Sequence, residues 1–403
     1  MKSSFGWTLL SREDLKRAET QLREDIEGVR DEIGFLALHQ AYADRFFPGT
    51  SVLHTRLRYV LFVPWLYQKL AERSERQIGA ALLREETALA GRLKRFDNDG
   101  VIGGRSFPEP TSQPPSMVYW TALGTWRILR PMPDGGCPSR ASVHRALSRR
   151  SAGLKLRDED RQLIEESEPL FTTIPSPPSA WRDTGQPLGF TLLEQEQRFL
   201  RSCLVGVLRP GGDGQPSLLA RLAVTRLRAD HELWDPNIAA MADAADQKAL
   251  HRAERAAALA AIGRAVYAAL VETIREQEDG LPTETKHRQL LRDVLDRYRG
   301  AALQLDIEAI PSDAPHGISE HVLKVLRETQ AWIGRRRAPI EDLYQTYERA
   351  ELRRKGRRAR LVKTLLGRER RAEWTPEEHA EATALHYRWS QVRRLLLDLQ
   401  GRS

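Results

Sequence analysis

Apolar residues recur along most of the chain at spacings of three and four, the period of a helix that turns one face to a core. Leu15, Ala18, Leu22 and Ile26 make one such stripe after Ser11, and Glu13 and Asp14 suit the first turn of that helix. A second helix is expected from Phe35 to Phe46. Phe47-Pro48-Gly49 stops it, because proline disfavours helix in the residue before it and glycine supplies a turn. Thr50 or Ser51 then offers an N-cap for the next element. From Thr55 to Tyr67 the chain is apolar nearly all round, with Arg56 and Arg58 ahead of the run, so this segment belongs in a core. Helical periodicity resumes through Ala80, Leu82, Leu83, Leu89 and Leu93 and breaks at Asp97-Asn98-Asp99-Gly100.

Between residues 100 and 190 the period is lost, and prolines and glycines cluster at 108–115, 131–138 and 175–189. A short aromatic helix is expected over Ser116 to Trp126 and a basic one over Ser139 to Arg150; in size and charge the stretch resembles small helix-turn-helix or winged modules. Further helices are expected over Leu192 to Leu204 and Ser217 to Leu227. An Ala-rich helix, or a pair, should run from about Pro236 to Gln277, followed by one over Thr283 to Tyr298. After Pro311-Ser312-Asp313-Ala314-Pro315 come helices over His321 to Ile333 and Ile340 to about Leu366. A last one is opened by Thr375 with Pro376 at its first position. There Leu385, Trp389, Val392, Leu396 and Leu399 alternate steps of four and three, the seam of a helix packed on a helix.

The expected fold class is mainly α: a multi-domain helical bundle architecture whose irregular Pro/Gly-rich middle has room for a small helix-turn-helix or winged module. Four consecutive segments follow: a helical domain over 1–96, the irregular region over 97–190, an Ala-rich helical domain over 191–310 and a basic helical region over 316–403.

Composition supports a folded chain, with 41% hydrophobic and 29% charged residues among 403. Cys137 and Cys203 supply neither a disulfide framework nor a zinc-binding pair, which suits a reducing compartment. The N-terminal residues lack the apolar stretch of a signal peptide. The most apolar run, Tyr59 to Tyr67, contains Pro64 and falls far short of the roughly 20 residues of a membrane helix. A cytoplasmic protein with no membrane association is expected.

The net charge of +8 is concentrated. Arg353, Arg354, Lys355, Arg357, Arg358, Arg360, Lys363, Arg368, Arg370 and Arg371 face a single acid, Glu369, so that segment carries +9 and the remainder −1. On a continuous helix Arg353, Arg357 and Arg360 share one side, with Leu352, Ala359, Val362 and Leu366 opposite. Guanidinium groups suit phosphate because they donate paired hydrogen bonds and stay charged. Arg335, Arg336 and Arg337 follow Trp332, and Trp374 lies just beyond the basic segment, offering further cations and rings for stacking on bases, though core packing accounts for the two tryptophans equally well. Arg145, Arg149 and Arg150 would extend such a surface. A cationic ridge of this kind also suits an acidic protein surface, so a scaffold role stands beside nucleic-acid binding.

Catalytic signatures are missing: no GxxxxGK[ST], HExxH or GxSxG string occurs, nor an HxK followed by Asp of a phospholipase-D-like nuclease. A divalent-metal nuclease pattern can be laid on Asp235 with Asp246-Gln247-Lys248, but in an Ala-rich helical tract where strands ordinarily carry it. Glu284-Thr285-Lys286 after Asp279 is no stronger. No catalytic residue, metal or cofactor is assigned.

Several strings resemble an uncharacterised bacterial family catalogued only as a domain of unknown function. They are Gly6-Trp7, Phe47-Pro48-Gly49-Thr50-Ser51, Arg58-Tyr59-Val60-Leu61-Phe62-Val63-Pro64-Trp65, Gly100-Val101-Ile102-Gly103, Pro114-Pro115-Ser116-Met117-Val118-Tyr119-Trp120 and Tyr387-Arg388-Trp389. The resemblance implies a setting in antiphage defence gene clusters beside helicase-like and phospholipase-D-like nuclease genes. It carries no catalytic residues. The expectation is thus a non-catalytic accessory subunit that binds nucleic acid, DNA first, through the basic segment and docks a helicase or nuclease partner. The alternatives are a scaffold on an acidic partner and a cryptic metal-dependent nuclease.

Overall fold

The computed structural model describes residues 31–72, 77–97, 99–132, 134–151, 169–183, 185–211, 213–283, 285–335, 338–374 and 382–402. Among these residues the architecture is mainly α, as the periodicity requires, and the only β pairing is two isolated bridges, Leu129 with Phe171 and Leu208 with Pro216. The longer helices are α1 (Phe35–Phe46), α2 (Tyr59–Glu72), α3 (Ile78–Phe96), α4 (Arg140–Ser151), α5 (Glu194–Val205) and α6 (Ala244–Gln277). They continue with α7 (Lys286–Leu303), α8 (Glu320–Gly334), α9 (Tyr344–Lys355), α10 (Leu365–Ala372) and α11 (Trp389–Leu399). The stripe from Leu15 to Ile26 and the Thr375-Pro376 cap lie outside the described residues.

Contacts group the chain into two compact units, each built from two stretches. One comprises Met1–Ala41 and His251–Leu385, the other Tyr42–Leu250 and His386–Ser403. Four consecutive segments do not anticipate this division, because it rests on pairings between residues far apart in sequence.

In the unit of Tyr42–Leu250 and His386–Ser403, α2 is the core. Tyr59 to Val63 are fully buried, and Phe62 and Trp65 pack on Trp181 and Phe190 lies against Tyr59 and Phe62. The turn that ends α1 is the one proline and glycine demand: Gly49 adopts φ +79°, and a Cβ there would sit 2.8 Å from Thr125 and Trp126. Thr50 and Ser51 do not cap α2. Their hydroxyls serve this turn, Thr50 donating to the Phe47 carbonyl and Ser51 accepting from the Leu53 N–H, and α2 begins only at Tyr59.

The two arginines ahead of that run are structural. Arg56 donates to both carboxylate oxygens of Asp398 on α11 at 3.1 Å, and the Leu57 N–H adds a 2.8 Å bond to the same group. Arg58 pairs with the buried Glu196 at 2.8 Å and donates to the Gly189 carbonyl. Buried charge persists where its hydrogen bonds are filled in this way. The irregular middle supplies two short helical pieces, Pro115–Val118 and Trp120–Thr125, and then α4; its described residues form no β-hairpin and so no wing. The helix expected over Ser217 to Leu227 is only Leu218–Leu222, capped by the Ser217 hydroxyl. The closing helix starts at Trp389; Leu385 is buried but not helical.

The other unit is organised on α6 from His251 onward. Its alanines allow close approach, and a Cβ on Gly263 would meet the Phe35 ring at 2.5 Å. α6 is long and apolar enough by composition to cross a membrane, and the apolar window that qualifies is wholly buried inside the fold. A search for one unbroken apolar run passes over it because Arg252, Glu254, Arg255 and Arg264 interrupt the tract. The buried Glu272 carboxylate accepts the N–H groups of His287 and Arg288 in the first turn of α7, where an anion is favoured. α8 packs on α9, with the Thr329 and Tyr347 hydroxyls 2.7 Å apart in the seam.

Candidate nucleic-acid interface

The basic segment is not one helix. α9 ends at Lys355 because Gly356 takes φ 53° and ψ −125°, a conformation that side-chain-bearing residues avoid. A single 3-10 turn, Gly356–Arg358, follows, then an irregular stretch with Ala359 and Leu361 buried, then α10, capped by the Thr364 hydroxyl. The expected helix from Ile340 to Leu366 is therefore broken. Arg353, Arg357 and Arg360 do not share a helical face, and Leu352, the supposed apolar side, is 47% exposed.

α9 is held by its buried side. Glu351, fully buried, accepts the Tyr267 hydroxyl at 2.5 Å and the N–H groups of Arg360 and Leu361 at 2.9 and 2.7 Å. Burial raises its carboxyl above the ordinary range, opposed by these donors. The carboxylate thus stitches the segment after Gly356 back onto α6 and α9.

Carboxylates of the same unit already engage much of the positive charge. Arg354 reaches Asp31 at 2.8 Å, whose carboxylate also caps α1 by accepting from Gly34 and Leu36. Lys355 and Arg360 converge on Glu32, the latter at 3.6 Å. Arg371 is 1% exposed: it grips Asp279 through Nε at 2.6 Å and Nη2 at 2.9 Å, and donates to the carbonyls of Arg360 and Val362. That pairing holds the Asp279 carboxyl below the usual carboxylate range. Arg371 is a clamp and not a surface cation.

Other pairs are open to water. Lys363 with Glu278 at 2.5 Å, Arg370 with Glu373 at 2.7 Å and Arg335 with Asp342 at 3.0 Å are partly exposed. Exposed ion pairs of this kind contribute roughly 0–1 kcal/mol and exchange readily for phosphate. Arg368 donates to the Asp279 carbonyl at 3.3 Å. Arg353, Arg357 and Arg358 are exposed and have no ion pair among the described residues. Arg336 and Arg337 lie outside the described residues, as do the side chains of Arg149 and Arg150.

Two cations that the sequence reading missed join the unengaged set. Lys324 on α8 and Arg349 on α9 are exposed and line one groove with Arg353 and His321. The signal was present, since Arg349 and Arg353 stand one helical turn apart, but Lys324 comes from another helix and only packing brings it alongside. The aromatic expectation fails. Trp332 is 7% exposed with Nε1 donating to the Pro339 carbonyl, and Trp374 is 2% exposed beside His287, so neither ring is open for stacking.

The nuclease pattern fares as follows. Asp246 is buried between Arg45 and Arg209, each at 2.9 Å, and Asp235 accepts from the Glu232 N–H ahead of a short helix. Both guanidinium groups sit on Asp246 Oδ1, so a metal at this carboxylate would meet their positive charge. Asp279 is taken by Arg371, and Glu284 lies outside the described residues. No group of three or more His, Cys, Asp or Glu that could hold a metal ion occurs among the described residues.

No curated protein and no solved structure matches the chain. A family model does match, over residues 2–400, and its description is a family of unknown function, DUF6361. With nearly the whole sequence covered, the chain belongs to that family.

Proposed function

We propose that the chain is a non-catalytic nucleic-acid-binding subunit whose contact surface is the unengaged cationic ridge of α8, α9 and the turn after Gly356. The observation that carries this reading is that Lys324, Arg349, Arg353, Arg357 and Arg358 are all exposed, with no carboxylate paired to them among the described residues. Cations left unmatched while their neighbours are neutralised keep a local field for polyanions. Such contacts act on phosphate, depend little on sequence and weaken steeply with salt. In the antiphage setting that the sequence resemblance implies, a subunit of this kind would hold DNA for a helicase-like or phospholipase-D-like nuclease partner.

The test is retention of duplex DNA by the full chain over a salt series, with Arg353, Arg357 and Arg358 replaced together by Ala. Each phosphate contact contributes roughly −0.9 to the slope of log affinity against log salt, so the slope should flatten by about two to three. An unchanged slope and affinity would overturn the reading and return the ridge to the scaffold alternative, in which it meets an acidic protein surface.

A further inference from the structure

α8 and α9 lie side by side, and their facing stripes leave a groove of about 470 Å3. His321, Lys324 and Val325 line it from α8; Arg349, Leu352 and Arg353 line it from α9. No carboxylate is among its described lining residues. The adjoining cleft shares His321 and Arg353 and contains Asp31, whose charge is already taken by Arg354 and by two backbone N–H groups. The groove therefore combines three cations with no ion pair among the described residues and a histidine with one exposed apolar side chain, Leu352, at 47%. Its volume is within the roughly 300–1,000 Å3 typical of small-molecule sites.

An internal phosphodiester carries a single negative charge and needs no enclosure to be held. A terminal phosphate carries about −1.5 to −2 near neutral pH and presents three acceptor oxygens, which suits cations converging from two helices. The exposed Leu352 side chain beside those cations offers an apolar surface for a sugar or base. We infer that this groove binds a phosphomonoester borne on a nucleoside, either a free nucleotide or the 5′-phosphorylated end of a strand. The inference deepens the nucleic-acid reading and rests on it for the strand end alone.

Fluorescence anisotropy with the full chain tests it, using a 3′-labelled oligothymidylate with either a 5′-phosphate or a 5′-hydroxyl, and AMP, adenosine and inorganic phosphate as competitors. The 5′-phosphorylated strand should bind roughly tenfold more tightly, a difference erased by Lys324→Met with Arg349→Met. AMP should compete better than either adenosine or inorganic phosphate. Both replaced residues are exposed, and a thermal melt of the double variant checks that the fold is kept. Equal affinity for the two strands, together with no competition by AMP, overturns the inference. Salt-dependent binding of both strands in that case leaves the broader nucleic-acid reading standing, whereas AMP binding seen by isothermal titration calorimetry without strand binding removes that reading and keeps this one. Inorganic phosphate competing as well as AMP overturns the nucleoside requirement.

Discussion

Arg371→Ala separates a structural cation from a ligand-binding one. The side chain donates two bonds to Asp279, which is itself 8% exposed, and further bonds to the Arg360 and Val362 carbonyls. Truncation strands a carboxylate and two carbonyls without their donor, and breaking one partner of a buried pair costs about 3–5 kcal/mol. That is a large share of the roughly 5–15 kcal/mol by which domains are stable. At about 2–4 °C per kcal/mol for 150–250 residues, the melting temperature should fall by roughly 6–20 °C. Thermal melts of wild type and variant measure this directly, and urea unfolding gives the underlying free-energy loss. Acid dependence supplies a second readout. The Asp279 carboxyl is depressed in the folded state, so its contribution is present above the unfolded value and lost as pH falls through the folded one. The variant should lose that part of the acid sensitivity. Asp279→Leu added to Arg371→Met should recover much of the loss, because a buried apolar pair removes the stranded charge. Unchanged stability with weakened DNA retention in Arg371→Ala would refute the clamp and restore Arg371 to the binding surface.

Two further outcomes follow from groups buried at a cost. Arg264 is 8% exposed, its Nε and Nη2 have no hydrogen-bond partner among the described residues, and burial lowers its pKa to about 10. Arg264→Met should therefore stabilise the chain by about 1–3 kcal/mol, and an unchanged or lower urea midpoint would contradict this. Burial pushes the Glu86 carboxyl up to about 7 from 4.5, opposed by the Ser116 N–H at 2.6 Å. The folded state then keeps a proton that the unfolded chain has released, so stability falls as pH rises through that window, by at most about 1.4 kcal/mol per pH unit. Glu86→Gln should flatten this dependence; an identical pH profile would show that Glu86 does not cause it.

Local signals in the sequence were enough to place many of the elements. Phe35–Phe46 ends where Pro48 and Gly49 require, the run at Tyr59 is the core of its unit, and Trp389, Val392, Leu396 and Leu399 are buried as their spacing demands. The candidate site was legible only as a charge excess. Which cations are free depends on partners elsewhere in the chain: Asp31 and Glu32 for Arg354, Lys355 and Arg360, and Asp279 for Arg371. No periodicity reports such pairings. Gly356 was the local clue that went unused, since a glycine inside a helical pattern costs about 1 kcal/mol and here marks the break. Trp332 and Trp374 show the converse: by sequence an aromatic near cations suits a stacking platform or a core equally well, and burial decides for the core.

The bond from Asp398 to Arg56 and Leu57 sets an order of events during synthesis. Residues 42–250 leave the ribosome well before α11, with all of 251–385 translated between, an interval on the order of ten seconds at usual elongation rates. Throughout that time the seat of Trp389, Val392 and Leu396 is bare and Arg56 has not yet met Asp398. A nascent chain stalled within that interval would present an incomplete, sticky core to chaperones, and arrival of α11 is the step that seals it.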